Sequence, residues 1–186
     1  MSKKSCNFGL YMIIIGFVHS NGAPEMVLKG DSCLLNGRKP MFIPEWTKEL
    51  GVTDCFILRV SRLGKEIAPR YAERYYDAVA PGADFVVMDI LRELQKEGRP
   101  WTTATCFDYS LAIGEWTEVQ GDKVQWTKES LVISPSEAIA QASKVMTIRQ
   151  GDLIYIQANK APRAVQKEEI IRVEIDGKEK LSCKIK

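Results

Sequence analysis

The sequence contains a single histidine, His19, among its 186 residues. A cluster of histidines around a metal ion is therefore excluded. His19 follows an apolar run and begins a turn-like segment, so we expect a surface or hydrogen-bonding role for it rather than catalysis. The glycine-rich phosphate loop, the dinucleotide-binding fingerprint and the serine nucleophile elbow are also absent from the sequence.

Cysteine is scarce and widely spaced. The five cysteines are an odd number and include no C-x-x-C pair, which excludes a disulfide framework and a zinc-finger spacing. They are Cys6, Cys33, Cys55, Cys106 and Cys183. We expect buried, reduced thiols in a cytoplasmic protein. Cys106, beside Phe107 and Asp108, has no nearby base and is expected to be a core thiol.

A long run of charge of one sign is missing as well. The 26 basic and 24 acidic residues give a net charge of +2 and alternate along the chain. This pattern predicts no nucleic-acid or membrane partner. The apolar run at residues 10–18 is too short to span a bilayer, and no small-x-small cleavage site follows it. We expect a buried first strand there, because residues 13–15 are three isoleucines.

What is present predicts one α+β domain, with residues 1–11 as a tail and residues 12–186 as the domain. Tyr71, Tyr75 and Val79 recur at four-residue spacing and predict a helix over residues 69–80. Two more helices are predicted over residues 88–97 and, after the capping box Ser134-Pro135-Ser136-Glu137, to about residue 146. Strands are expected at residues 26–29, 55–60 and 153–157, with hairpins around 120–122 and 176–177 and extended chain at 84–87 and 101–108.

One carboxylate stands out. Asp84 lies between Ala83 and Phe85 in an apolar run, where an unpaired charge would be costly to bury. Such a side chain is either satisfied by local hydrogen bonds or placed to meet a ligand.

Several segments, in order, resemble the fumarylacetoacetate hydrolase family, in particular its small acylpyruvase-like bacterial members. Residues 27–35 resemble the family's Leu-Lys-Pro-x-Ser strand and loop, and residues 75–89 resemble its helix and Gly-x-Asp-x-x-x-Arg-Asp signature. Residues 100–114 resemble its Pro-Trp…Lys-x-Phe-Asp…Ile-Gly run, and residues 150–154 its Pro-Gly-Asp-Leu-Ile strand. The resemblance covers nearly all of the chain from residue 12 onward.

The resemblance implies a mixed β-roll with a few short helices, commonly a homodimer. The family's enzymes cleave or decarboxylate diketo and oxo acids with a Mg²⁺ or Ca²⁺ ion. This ion is bound by two glutamates, in a Glu-x-Glu pair, and by one aspartate. A hard divalent cation suits carboxylate oxygens and stabilises the enolate that forms when the carbon–carbon bond breaks.

This sequence departs from that pattern at the site. The Glu-x-Glu pair falls on Thr53 and Cys55, and only Asp84 is kept. The family's lysine falls on Thr105 and the arginine before Asp89 falls on Met88. The Gly-Thr-Pro loop falls on Gln157-Ala158-Asn159. The family's catalytic histidine has no clear equivalent here, since the segment after the first strand is shortened and His19 is only a loose candidate. A register slip that offers Asp54 instead is disfavoured, because alternate side chains of a strand face opposite ways.

We therefore predict a catalytically degenerate family member that binds a small oxo acid or a protein partner without a metal cofactor. Asp84 would then be a remnant of the metal site, held by backbone hydrogen bonds or water, and Asp89, Thr105, Asp108 and His19 would be remnants of the catalytic set. The alternative is an active hydrolase or decarboxylase that uses Mg²⁺ or another divalent cation, with a site rebuilt around Asp84, Asp89, Asp108 and Cys55. Two further hypotheses are a softer zinc site from Cys55, Asp84 and His19, and a closed pocket in a protein that acts through its surface.

Overall fold

A computed structural model describes residues 12–20, 22–36, 38–119, 130–175 and 178–186. The strands are β1 (Ile14–Ser20), β2 (Ala23–Lys29), β3 (Leu34–Asn36), β4 (Leu50–Val60), β5 (Tyr76–Val87), β6 (Leu111–Ile113), β7 (Thr117–Glu118), β8 (Leu153–Gln157), β9 (Arg163–Ala164), β10 (Ile170–Ile175) and β11 (Lys178–Lys184). The helices are α1 (Met88–Glu97), α2 (Thr102–Thr105) and α3 (Pro135–Val145), with 3₁₀ helices at Asp31–Cys33 and Pro69–Tyr75. The predicted α+β class is confirmed.

Nine strands form one mixed sheet in the order β2-β1-β8-β4-β5-β6-β3, with β7 beside β5 and β9 beside β4. The pairs β1–β8 and β3–β6 are parallel, and the other pairs are antiparallel. β10 and β11 form a separate two-stranded sheet. The long strands β4 and β5 lie at the centre and are buried along almost their whole length, as the continuous apolar run of β4 predicts.

Alternate residues of the central strands enter different parts of the core. Ile15, Phe56 and Ile154 pack with α3 in one cluster, whereas Cys55 and Tyr155 belong to another. This alternation decides which side chains surround Asp84, because β4, β5 and β8 present every second residue to the same side of the sheet.

The helix predicted over residues 69–80 is wrong in its second half. The 3₁₀ helix ends at Tyr75, and β5 runs from Tyr76 to Val87, so the predicted short extended segment at 84–87 is the end of a 12-residue strand. Ala78 and Ala80 are fully buried and pair with Arg59 and Ile57 of β4. A long antiparallel ladder in the core therefore overrides the four-residue spacing of the aromatic residues.

Other local predictions can be compared with the structure directly. α1 and α3 begin and end close to the predicted residues, and α3 has the capping box, in which Ser134 Oγ accepts from the backbone N–H of Glu137 at 3.3 Å. The extended chain predicted at 101–108 is wrong because α2 lies there. The tail, Cys6 and the turns at residues 37, 120–122 and 176–177 fall outside the described residues. None of the described helices has the length and apolar character needed to cross a membrane.

Candidate active site

The register of β4 and β5 brings together the three positions at which the sequence predicts a former metal site. Thr53 lies opposite Asp84, and Cys55 lies opposite Gly82. The side chains of Thr53, Cys55 and Asp84 are all buried. Asp54, which would be the ligand after a register slip, is instead half-exposed and pairs with Lys160 at 2.8 Å.

Asp84 is held by side chains, which corrects the expectation of backbone hydrogen bonds or water. Lys29, the last residue of β2, places its Nζ 3.0 Å from Asp84 Oδ1, and the Lys29 side chain is completely buried. The same ammonium donates to Ser110 Oγ at 2.9 Å and to the backbone carbonyl of Thr105. Lys29 therefore makes two hydrogen bonds and one ion pair, and Asp84 Oδ1 is balanced by the nearby charge without accepting a hydrogen bond.

Gln157 holds the second oxygen of the carboxylate. It lies opposite Cys55 on β8, so its amide reaches across β4 and donates from Nε2 to Asp84 Oδ2 at 2.7 Å. Its Oε1 accepts from the backbone N–H of His19 at 2.9 Å. Burial raises the pKa of Asp84, and the ammonium of Lys29 together with the amide of Gln157 opposes this rise.

Tyr155 closes the back of the site. A Cβ atom on Gly16, its neighbour on β1, would lie 2.1 Å from the Tyr155 Cζ atom, so the ring requires a glycine at that position. The ring lies 5.9 Å from Lys29 Nζ. Burial and the nearby Asp84 carboxylate raise the pKa of Tyr155 well above its ordinary value, so its hydroxyl stays protonated.

A cavity of about 310 Å³ opens next to these residues. Asp84, Thr105 and Gln157 belong to its lining, together with His19. The remaining lining residues are Val18, Ser20, Val86, Met88, Leu91, Arg92, Gln95, Trp101, Ala161 and Pro162. An open cavity next to Asp84 argues against the closed-pocket hypothesis.

The structure brings only some of the candidate residues to this cavity. His19 and Thr105 line it. Asp108 is exposed and Asp89 lies at the start of α1, and neither lines it. Asp89 accepts from Thr47 Oγ1 at 2.8 Å and from the Lys48 N–H at 3.0 Å. Burial acts to raise the pKa of Asp89, but these hydrogen bonds lower it overall.

Two residues of the site are not predicted from the sequence. In the sequence, Lys29 is only part of a family-like strand, and Gln157 is only a departure from the family's Gly-Thr-Pro loop. The available signal was a lysine that ends the short apolar strand of residues 26–29 and a glutamine that ends the apolar strand of residues 153–157. Each of these two residues is a polar side chain at the end of an otherwise largely apolar strand.

The residues around Asp84 do not fit a hard divalent cation. Mg²⁺ and Ca²⁺ need several oxygen ligands, and one carboxylate beside the hydroxyl of Thr53 and the thiol of Cys55 is a poor set. Both oxygens of Asp84 are already engaged by Lys29 and Gln157. Within the described ranges, no group of three or more histidine, cysteine, aspartate or glutamate side chains is arranged to hold a metal ion, and the zinc hypothesis also lacks such a group.

The reactivity of the Cys55 and Cys106 thiols tests whether the residues beside Asp84 are buried. Burial, and then the negative charge of Asp84, raise the pKa of Cys55 well above its ordinary value, whereas Cys106 is only partly buried. We expect iodoacetamide to alkylate Cys106 in the native protein and to leave Cys55 unmodified until the chain is unfolded. Peptide mapping by mass spectrometry measures both sites, and modification of Cys55 at the rate of Cys106 would contradict the described packing.

Known structures share this fold. A Yersinia pestis CO92 protein named for the fumarylacetoacetate hydrolase family superposes with a TM-score of 0.82 at 15% identity, over 94% of this chain and 92% of that chain. The fumarylpyruvate hydrolase of Pseudomonas aeruginosa, in complex with Mn²⁺ and pyruvate, superposes with a TM-score of 0.76 at 18% identity, over 94% and 88% of the two chains. Both confirm the predicted mixed β architecture.

Curated relatives match at the level of sequence, although no family model matches. The mitochondrial oxaloacetate tautomerase FAHD1 of Rattus norvegicus is 26% identical over 170 residues, which is 83% of this chain and 77% of the relative. The same enzyme of Mus musculus is 25% identical over 179 residues, 88% of this chain and 81% of the relative. This chain is thus similar in sequence to these curated enzymes and shares its fold with proteins named for the fumarylacetoacetate hydrolase family. The family resemblance seen in the sequence is thereby confirmed, and the relatives are enzymes, named as tautomerases and hydrolases.

Proposed function

We propose that this protein binds a small 2-oxo acid in the cavity beside Asp84 without a divalent cation, and catalyses proton transfer on it. The observation that carries the proposal is the buried Lys29–Asp84 ion pair at 3.0 Å beside an open cavity. A fixed ammonium already balances the charge of the carboxylate, so ligand binding does not depend on a metal ion.

The size and lining of the cavity support a small polar ligand. Its volume of about 310 Å³ is at the lower end of the range for small-molecule sites. Met88 and Trp101 provide apolar wall, while Gln157, Thr105 and His19 are polar. The names of the relatives agree with this class, since oxaloacetate and pyruvate, which two of them name, are both 2-oxo acids.

Proton transfer demands less of the site than carbon–carbon cleavage. The enol and keto forms of a 2-oxo acid are isomers: the enol oxygen loses a proton, and the neighbouring carbon gains one. No water is consumed and no group leaves. His19 lines the cavity, and histidine is the side chain that most often serves as a general acid or base. Because the relatives are enzymes, we favour an active protein over the catalytically silent one predicted from the sequence.

The test follows the conversion of enol to keto oxaloacetate by its ultraviolet absorbance in the presence of EDTA. Wild-type protein is expected to accelerate the conversion, and His19→Gln to slow it by about 100-fold, the size of a lost general base. Ser20→Ala, a second substitution in the cavity lining, is the matched control and should stay close to wild type. No acceleration with or without metal would leave only the silent, ligand-binding protein.

A second candidate is a metal-dependent hydrolase or decarboxylase of diketo and oxo acids. The complex of the Pseudomonas aeruginosa relative with Mn²⁺ and pyruvate favours it, and the donor set around Asp84 disfavours it. Acylpyruvate and oxaloacetate turnover, assayed with Mg²⁺ or Mn²⁺ and with EDTA, separates the candidates. Cleavage that appears only with the metal would establish this second function in place of the first.

A further inference from the structure

Arg92 occupies a notable place in the cavity. It lies on α1 one helical turn after Met88, the position at which the family resemblance places an arginine. Residues four apart on a helix share one face, and Met88 and Arg92 both line the cavity. Among the cavity-lining residues in the described ranges, Arg92 is the only lysine or arginine.

The guanidinium of Arg92 forms an ion pair with Glu49. It pairs with Glu49 through two contacts, one from NH1 to Oε1 at 3.3 Å and one from NH2 to Oε2. The two side chains are 57% and 36% exposed, so the pair is in contact with solvent. An arginine has five N–H donors, and two contacts to Glu49 leave others for a second anion.

Gln157, Thr105 and His19 are polar side chains for the 2-oxo acid end that all these ligands share. The second carboxylate of a dicarboxylic ligand needs a positive charge elsewhere in this cavity. The ammonium of Lys29 is completely buried, pairs with Asp84 and donates to Ser110 and Thr105, and Lys29 is not in the lining of this cavity. Lys29 therefore neutralises Asp84 and is not placed to meet a ligand in the cavity. The planar fork of Arg92 is suited to a carboxylate, which it can bind through two parallel hydrogen bonds.

We propose that Arg92 binds the distal carboxylate of the substrate, so that the cavity selects 2-oxo dicarboxylic acids over 2-oxo monocarboxylic acids. This inference rests on the proposed function and names its substrate class. Glu49 competes with the ligand for the same guanidinium. Since an exposed ion pair contributes little to stability, a ligand carboxylate shares or replaces Glu49 at small cost.

The experiment uses two ligands of equal chain length, oxaloacetate and 2-oxobutyrate, which differ by the distal carboxylate. Calorimetric titration in EDTA is expected to show at least about tenfold tighter binding of oxaloacetate to the wild-type protein. Arg92→Met should weaken oxaloacetate binding by about 10- to 100-fold, the usual effect of losing a hydrogen bond to a charged group, and leave 2-oxobutyrate binding close to wild type. Arg92→Lys should retain part of the preference, because it keeps the charge and loses the fork.

Two control variants complete the design. Arg99→Met removes another exposed arginine, which pairs with Glu97 at 2.9 Å and is not in the lining of this cavity, and it should leave both affinities unchanged. Glu49→Gln removes the competitor and should tighten oxaloacetate binding. Thermal unfolding checks that each variant is folded.

Two results would overturn the role of Arg92 but not the proposed function: a preference for oxaloacetate that survives in Arg92→Met, or equal binding of the two ligands by wild type. Binding of neither ligand overturns the proposed function itself.

Discussion

Replacing Lys29 with methionine is expected to lower the free energy of unfolding by about 3–5 kcal/mol, the usual cost of breaking a buried ion pair by removing one partner. Methionine keeps the length and apolar volume of the side chain, so the change removes mainly the charge and its hydrogen bonds. Asp84 would remain buried without a cation 3.0 Å away, and Ser110 Oγ and the Thr105 carbonyl would lose a donor. Urea unfolding monitored by circular dichroism measures the loss.

Lys160→Met is the matched control. Lys160 also pairs with an aspartate, Asp54 at 2.8 Å, but both side chains are about 40% exposed. Exposed pairs contribute about 0–1 kcal/mol, so this variant should be nearly as stable as wild type. The double variant Lys29→Met with Asp84→Asn removes both buried charges and should recover much of the loss. An equal, small effect of Lys29→Met and Lys160→Met would show that the buried pair is not formed.

The stability lost in Lys29→Met should depend on pH in a definite direction. Burial already raises the pKa of Asp84, and removal of the ammonium raises this pKa further. A carboxyl whose pKa is higher in the folded than in the unfolded state favours folding when it is protonated, and this contribution is lost as pH rises through the folded pKa. The deficit of the variant against wild type is therefore smallest in acid, where Asp84 is neutral, and largest at neutral pH.

Introducing glutamate at positions 53 and 55 together has the second large expected effect. Thr53 and Cys55 are only 1% exposed and lie beside Asp84, so Thr53→Glu with Cys55→Glu adds both volume and two negative charges to a packed site. In EDTA the double variant should lose at least about 3 kcal/mol of stability. Addition of Mn²⁺ or Mg²⁺ should restore part of it, because three carboxylates on one face then form an oxygen site.

The neutral variant Thr53→Gln with Cys55→Gln separates the effect of added volume from the effect of added negative charge. Glutamine has nearly the same shape as glutamate, so the difference between the double variants reports charge, and the loss that they share reports overpacking. Only the glutamate variant should respond to metal. Metal-dependent stabilisation of the glutamine variant, or none in a folded glutamate variant, would contradict the prediction that these two positions correspond to the family's metal ligands.

The sequence predicts part of this site correctly because the relevant rule is local. Thr53 and Cys55 share a face that Asp54 does not, and the alternation of side chains along a strand is enough to state this. The burial of Asp84 follows from its apolar neighbours in the same way. Likewise, the capping box at Ser134 depends only on residues close in sequence, and α3 begins where it predicts.

What could not be predicted depends on the order of strands in space. Gln157 contacts Asp84 across 73 residues because β8 and β5 lie on either side of β4. Lys29 reaches Asp84 from β2, at the edge of the sheet, and passes the ring of Tyr155. That ring fits only because Gly16 has no side chain. The helix error at residues 76–80 has the same origin, since pairing with β4 decides the conformation of that segment.

Thermal unfolding of the chelator-treated wild-type protein tests most directly whether the site around Asp84 works without a divalent cation. A ligand that binds only the folded state stabilises it by about 2.7 kcal/mol at 100 times its dissociation constant, which shifts the melting temperature by several degrees. We predict the same melting temperature in EDTA and in millimolar Mg²⁺, Ca²⁺ or Mn²⁺. A saturable rise with any of these ions that is lost in Asp84→Asn would contradict the account.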